Sequence, residues 1–288
     1  MLLQFLTNGI VSGSLIAIMA IGFWFIYRAT GLFHIAHGAV YTASAYIFYS
    51  FKEIPLLLSF PISIIAGAII GLTMYFLVYM PLEKRSGSSE IKFISSLAIY
   101  IFVVNIIALI YGNETKILSQ GLSQSIILGN VILTEIQIYQ FLSLLILFIF
   151  SYLFVQWTRA GRAIRAIGDN PILFKAIGLN ERQVKIMVFS IGSAIAAVSS
   201  ILTGLDVGID PHIGMFALLN AVVAVIIGGI KRLEGVVLGA FLIGIIQNLV
   251  IWRFSARWES AVTFLILAIV LLYKSGGLFV IKRRVEEI

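Results

Sequence analysis

His34 and His37 are the side chains best placed for ligating or proton chemistry, because a spacing of three puts both on one helical face. A metal ion would need further ligands, and the sequence offers one more histidine, His212, and no cysteine. On the topology derived below, His212 falls on the opposite side of the membrane. The pair is therefore expected to bind no metal and to satisfy backbone groups where a helix is broken. Other chemistry is excluded by missing motifs. No G-x-x-x-x-G-K-[ST] loop is present to cradle phosphates, and Ser, His and Asp residues are scattered without a nucleophile elbow. Without cysteine there is no disulfide, thiolate metal site or cysteine nucleophile. The expectation is a non-enzyme with no cofactor of its own.

A second group of residues suggests protein recognition instead. Residues 158–185, TRAGRAIRAIGDNPILFKAIGLNERQVK, lie between two long apolar runs and carry Arg159, Arg162, Arg165, Lys175, Arg182 and Lys185. Within them the spacing predicts a short helix with its own punctuation. Asp169 or Asn170 can cap the first amides, and Pro171 suits the first helical position, where no N–H is needed. Gly178 can take the left-handed conformation that stops a helix. Between these marks Ile172, Leu173, Phe174 and Ile177 give an apolar side, with Lys175 pointing elsewhere. Basic loops between membrane spans ordinarily do no more than fix topology. An exposed Leu173/Phe174 pair is more than topology requires, and it suits a surface gripped by another protein.

The elements that position these residues follow from composition. Of 288 residues, 60% are hydrophobic and 11% charged, and the mean hydropathy is +1.07. That defines an all-α integral membrane protein, since the apolar runs are continuous and not alternating as in a β-barrel. Nucleic acid is a poor partner for it, because the pI near 9.6 reflects charge in loops. The opening MLLQFLTNGI lacks the positive region of a signal peptide, so the first span is expected to be retained. Apolar segments fall at 5–27, 31–51, 56–80, 93–112, 138–157, 186–205, 215–230, 235–252 and 258–275, predicting about eight or nine transmembrane helices. Residues 215–230 are short and end at Gly228-Gly229, and 31–51 opens with the polar patch GLFHIAHG. Both read as discontinuous or re-entrant helices.

Alternation from an external N-terminus leaves only Lys52, Lys116, Arg253 and Arg257 of the 20 Lys and Arg residues on one face. The acidic residues divide evenly, so the bias is the positive-inside signal and predicts N-terminus outside, C-terminus cytoplasmic. Counting either irregular segment as a re-entrant loop would flip one terminus. On this topology residues 1–288 form a single transmembrane domain, with 158–185 as a cytoplasmic loop. The first span, with Gly9, Gly13 and Gly22, precedes one irregular segment, and the sixth, with Gly192 and Gly204, precedes the other. These halves run in opposite directions, an inverted-repeat pattern that points to a transport pathway between the broken segments. His37, Gly38, Ala39, Asn220, Gly228 and Gly229 are its candidate residues. Asn105, Gln247 and Asn248 read as polar contacts between helices. The absence of a mid-span charge argues against a proton- or sodium-driven carrier.

Three stretches carry a family resemblance. GLFHIAHGAVYTASAY at 31–46, GRAIRAIGDNPILFKAIGLN at 161–180 and AVVAVIIGGIKRLEGVVLGAFLIG at 221–244 resemble motifs of branched-chain amino acid ABC-transporter permeases. The resemblance covers nearly the whole chain and suits the shorter of the two permease subunits. It implies an importer of amino acids such as leucine, isoleucine or valine. It also implies a second permease, two cytoplasmic ATP-binding subunits that hold ATP and Mg, and an extracytoplasmic solute-binding protein. In that setting 169–178 would be the coupling helix, with Asn170, Pro171, Leu173, Phe174, Lys175, Ala176 and Gly178 meeting the ATPase. The competing reading is a facilitative channel or carrier for a small neutral solute such as urea.

Overall fold

The computed structural model describes residues 1–85, 87–118, 124–129 and 131–273. Lys274, Lys282, Arg283, Arg284 and the C-terminus, all used in the charge count, lie outside the described residues.

The central element is α1 (Leu2–Thr30), whose 29 residues stop where Gly31 adopts φ 64. At about 1.5 Å per residue it exceeds the roughly 30 Å of hydrocarbon in a bilayer. Its glycines bring neighbouring backbones close. Gly9 and Gly13 lie against Gly244, Ile245 and Phe241 of α11 (Leu233–Arg253), and Gly22 meets Gly192 of α9 (Glu181–Val207). α1 and α9 run antiparallel, for Ser199 Oγ donates to the Leu15 carbonyl at 3.1 Å while Gly22 faces Gly192 further along.

Every apolar segment read from the sequence is helical, with shifted ends. The irregular segments become two short helices, α2 (Ala36–Ser50) and α10 (Ile213–Gly228), each too short to cross a bilayer alone. They begin against each other: a Cβ on Gly38 would sit 2.7 Å from the Gly214 carbonyl oxygen. α3 (Leu56–Met74) passes through a π-helical turn at Tyr75–Tyr79 into α4 (Met80–Lys84), so one helix extends further than the expected 56–80. α5 (Ser89–Tyr111), α6 (Glu135–Trp157) and α12 (Glu259–Tyr273) complete the apolar set. Among the described residues six helical stretches are long and apolar enough to cross a membrane: α1, α3–α4, α5, α6, α9 and α11. The outward faces of α3, α5 and α6 carry exposed Ile69, Leu109 and Ile146, as a lipid-facing surface requires.

Two features lay outside the sequence expectation. β1 (Ser125–Leu128) and β2 (Val131–Thr134) form an antiparallel hairpin with Leu128 opposite Val131. Gln4 pins it to α1, donating to the Ile132 carbonyl at 2.9 Å and accepting from its N–H at 2.8 Å. The second is α7 (Arg159–Asp169), in what was read as loop. Its Gly161, Ile164 and Ile167 are buried at a spacing of three, while Arg159 and Arg162 are exposed and Arg165 donates to Gln156 Oε1 of α6.

Candidate functional site

The expected short helix exists as α8 (Pro171–Ala176). The Asn170 side chain, not Asp169, caps it, accepting from the Leu173 N–H at 3.0 Å, and Pro171 takes the first position. Gly178 has φ 76 with open space around it. The apolar side, however, divides. Phe174 is 2% exposed and joins the main core, whereas Ile172 is 83% and Leu173 57% exposed. The expected exposed Leu173/Phe174 pair is therefore corrected: Phe174 anchors α8 inward, and Ile172, Leu173 and Ile177 form the outward apolar face. Ala176 is also exposed.

Ion pairs tie the end of α7 and α8 to two parts of the bundle. Arg28, buried in the last turn of α1, donates to the Gly168 carbonyl at 3.1 Å and to Asp169 Oδ1 at 2.5 Å. On the other side Lys175 Nζ lies 2.9 Å from Glu181 Oε2 at the start of α9. The Glu181 carboxylate, through that hydrogen bond and its charge, holds the Lys175 ammonium above the ordinary lysine range. Glu181 also pairs with Lys185 at 2.5 Å, and Lys185 reaches Glu83 of α4 at 2.8 Å. A displacement of α8 would thus be felt at α1 through Asp169 and at α4 through Lys175. None of these links was read from the sequence, although Glu181 and Lys185 carry the i,i+4 spacing that could have suggested one.

The pathway residues are brought together only in part. Gly38 and Gly214 are contact points between α2 and α10, and Gly228 packs against Gly235. Ala39 is fully buried, and Gly229 takes φ 89 at the end of α10. Gly38 and Gly228 are thus closely packed backbone crossings. Asn220 differs. It lines a cavity of about 380 Å³ among α1, α2, α9, α10, α11 and α12.

His34 and His37 are fully buried. His34 Nδ1 lies 2.8 Å from Tyr79 Oη in the π-helical turn, and Ser96 Oγ, not either histidine, accepts the Ala36 N–H at the start of α2. The expectation that the histidines satisfy the broken backbone is corrected accordingly. Among the described residues no three His, Cys, Asp or Glu side chains cluster as a metal site.

Long antiparallel helices crossing at glycines, two half-length helices that start face to face, and an apolar outer surface define a multi-pass helical membrane protein of the transport type. Residues 5–271 match the family model described as the permease component of branched-chain amino acid transport systems. The chain belongs to that family and is a transport subunit, not an enzyme. The high-affinity branched-chain amino acid transport system permease protein BraD of Pseudomonas aeruginosa is 30% identical over 293 residues, covering 96% of this chain and 95% of that protein. The corresponding LivH of Escherichia coli is 30% identical over 299 residues, covering 96% and 94%. A probable LivH of Methanocaldococcus jannaschii is 27% identical over 269 residues, covering 88% and 83%.

Proposed function

We propose that this chain is the transmembrane subunit of an ATP-driven ABC importer for amino acids, with the branched-chain group as cargo. The observation that carries this reading is α8: a capped helix whose Ile172, Leu173 and Ile177 are exposed among the described residues, while Asp169 just before it and Lys175 within it tether it to α1, α9 and α4. A channel or ion-independent carrier for urea has no use for such a lever. Docked in an apolar groove of an ATPase subunit, α8 would pass the movement of that subunit to the central helix.

The partners in this reading are a second permease, two cytoplasmic ATP-binding subunits that hold ATP and Mg, and an extracytoplasmic solute-binding protein. The orientation in the cell membrane is N-terminus outside and C-terminus cytoplasmic. It is supported by the hairpin lying beside Gln4, with Arg28 and α8 together at the other end of α1. The test is uptake of leucine into liposomes carrying the assembled transporter. Import should require ATP on the α8 side and solute-binding protein on the hairpin side. Downhill leucine or urea flux at the same rate without ATP would overturn the reading in favour of a facilitative pathway.

A further inference from the structure

The cavity beside Asn220 has a chemistry that the packing of the bundle leaves unused. Asp206 and Glu259 both line it, and among the described residues neither forms an ion pair. Asp206 receives one hydrogen bond, from Gln140 Nε2 to Oδ2 at 3.1 Å, which leaves its other oxygen available. Gln247 is 2% exposed, and both hydrogen bonds its carboxamide forms among the described residues use the nitrogen, to Asn220 Oδ1 and Thr263 Oγ1. Its oxygen accepts no hydrogen bond among the described residues.

Three hydroxyls of this wall are committed as donors, while Ser12 Oγ, which accepts from Asn248 Nδ2 at 3.3 Å, keeps its own proton to donate. Tyr41 donates to Thr203, Thr203 to the Ser199 carbonyl, and Ser199 to the Leu15 carbonyl. The wall is therefore rich in acceptors, with two carboxylates and an amide oxygen, and calls for a ligand group with several donors and positive charge. Asn220 Nδ2 and the Ser12 hydroxyl supply the opposing donors, since Asn220 Oδ1 accepts from Gln247. Leu15, Met19 and Phe216 make the rest of the surface apolar. A few convergent polar groups in an otherwise apolar cavity of about 380 Å³ is the usual form of a small-molecule site. The cavity also lies toward the hairpin end of the bundle, because Asp206 and Val207 come just before the bridge that joins Ile209 to Lys116.

We propose that this cavity is a binding site for a zwitterionic amino acid with an apolar side chain. Asp206 and Glu259 take the α-ammonium, Asn220 meets the carboxylate, and Leu15, Met19 and Phe216 receive the side chain. This rests on the proposed transport function and adds a solute station within the permease itself.

The chain has no cysteine, so Ala217→Cys on the cavity wall gives a single thiol reporter. In liposomes carrying the assembled transporter, leucine should slow labelling of that thiol, and the oxo acid with the same carbon skeleton should not. Asp206→Asn and Glu259→Gln, each in the reporter background, should raise the half-protecting leucine concentration about tenfold or more, the scale of one lost charged hydrogen bond. Asp206→Glu, which keeps the carboxylate, should stay close to the parent, and labelling without leucine shows in every variant that the cavity is still formed. Unchanged protection in both carboxamide variants would overturn the site, as would equal protection by the oxo acid or by sodium chloride alone. ATP-dependent uptake with no protection at all would remove the site and leave the transport function standing. If wild-type protein shows no ATP-dependent uptake, the transport function fails and the site with it.

Discussion

Arg28 holds Asp169: the guanidinium in the last turn of α1 meets the carboxylate two residues before α8 at 2.5 Å, across 141 positions of sequence. A second bond to the Gly168 carbonyl fixes the arginine further, and the arginine itself is buried. The central membrane helix and the outward-facing segment therefore share one charged contact.

Asp169→Asn should loosen that contact. A hydrogen bond to a charged group contributes about 1.5–3 kcal/mol, but Asp169 is largely solvent-exposed, so the loss should lie at or below the lower end. The expected outcome is normal assembly with more ATP hydrolysed per leucine imported, partly restored in Asp169→Glu. Measuring both fluxes in the same liposomes checks it, and an unchanged ratio would mean that the contact carries no movement.

Phe174 and Leu173 should behave oppositely on truncation. Phe174→Ala removes a core side chain, which typically costs about 3–5 kcal/mol, whereas Leu173→Ala on an exposed face should change the isolated permease by about 0.5 kcal/mol or less. Thermal unfolding of the purified chain in detergent separates them. Equal shifts would show that the inward and outward faces of α8 are wrongly assigned.

Gly38 and Gly178 should fail for different reasons. At Gly38 a methyl group meets the Gly214 carbonyl, so Gly38→Ala must push α2 from α10 and should lower both stability and the yield of folded protein. Gly178 has open space but φ 76, so Gly178→Ala meets only the left-handed penalty of about 1–2 kcal/mol, confined to the end of α8. Thermal stability of the two variants is the check. A Gly38→Ala protein as stable as the parent would remove the crossing as a tight contact.

Single cysteines at Gln124 and Ile172 should be labelled from opposite sides of the membrane. Both positions are exposed, at the hairpin and on α8. An impermeant reagent added to intact cells should reach position 124 and leave 172 untouched. The reverse pattern would invert the proposed orientation.

What could be read in the sequence was local. Asn170, Pro171 and Gly178 mark the ends of α8 because a cap, a first-turn proline and a left-handed stop depend only on neighbouring residues. The long apolar runs declared their helices for the same reason, and α2 and α10 declared themselves irregular through the polar patch and the paired glycines. What escaped was set by distant parts of the chain. Which side of a six-residue helix holds Phe174 depends on how the core is assembled from distant helices. Arg28 is an ordinary end-of-span arginine until Asp169 is placed beside it. Asp206 and Glu259 are likewise separate span-end charges until α9 and α12 enclose one cavity. Gly38 and Gly228 fit both a lumen wall and a close crossing, since small residues serve either, and their approach to the Gly214 and Gly235 carbonyls is set by distant parts of the chain.

Docking of α8 on an ATPase subunit is tested most directly by Ile172→Asp and Leu173→Asp in the assembled transporter. Both side chains point outward, so the permease should fold and insert normally, while a charge in an apolar groove should cost about 2 kcal/mol or more of interface energy. Lys175→Ala, at an exposed and screened ion pair, serves as the comparison and should change attachment little. The measurement is co-purification of the ATP-binding subunits with each variant, followed by leucine-stimulated hydrolysis in liposomes. The expected result is loss of the ATP-binding subunits, or of stimulation, in the two aspartate variants, with attachment kept in Lys175→Ala. Wild-type attachment together with wild-type stimulation in both would contradict the coupling role of α8.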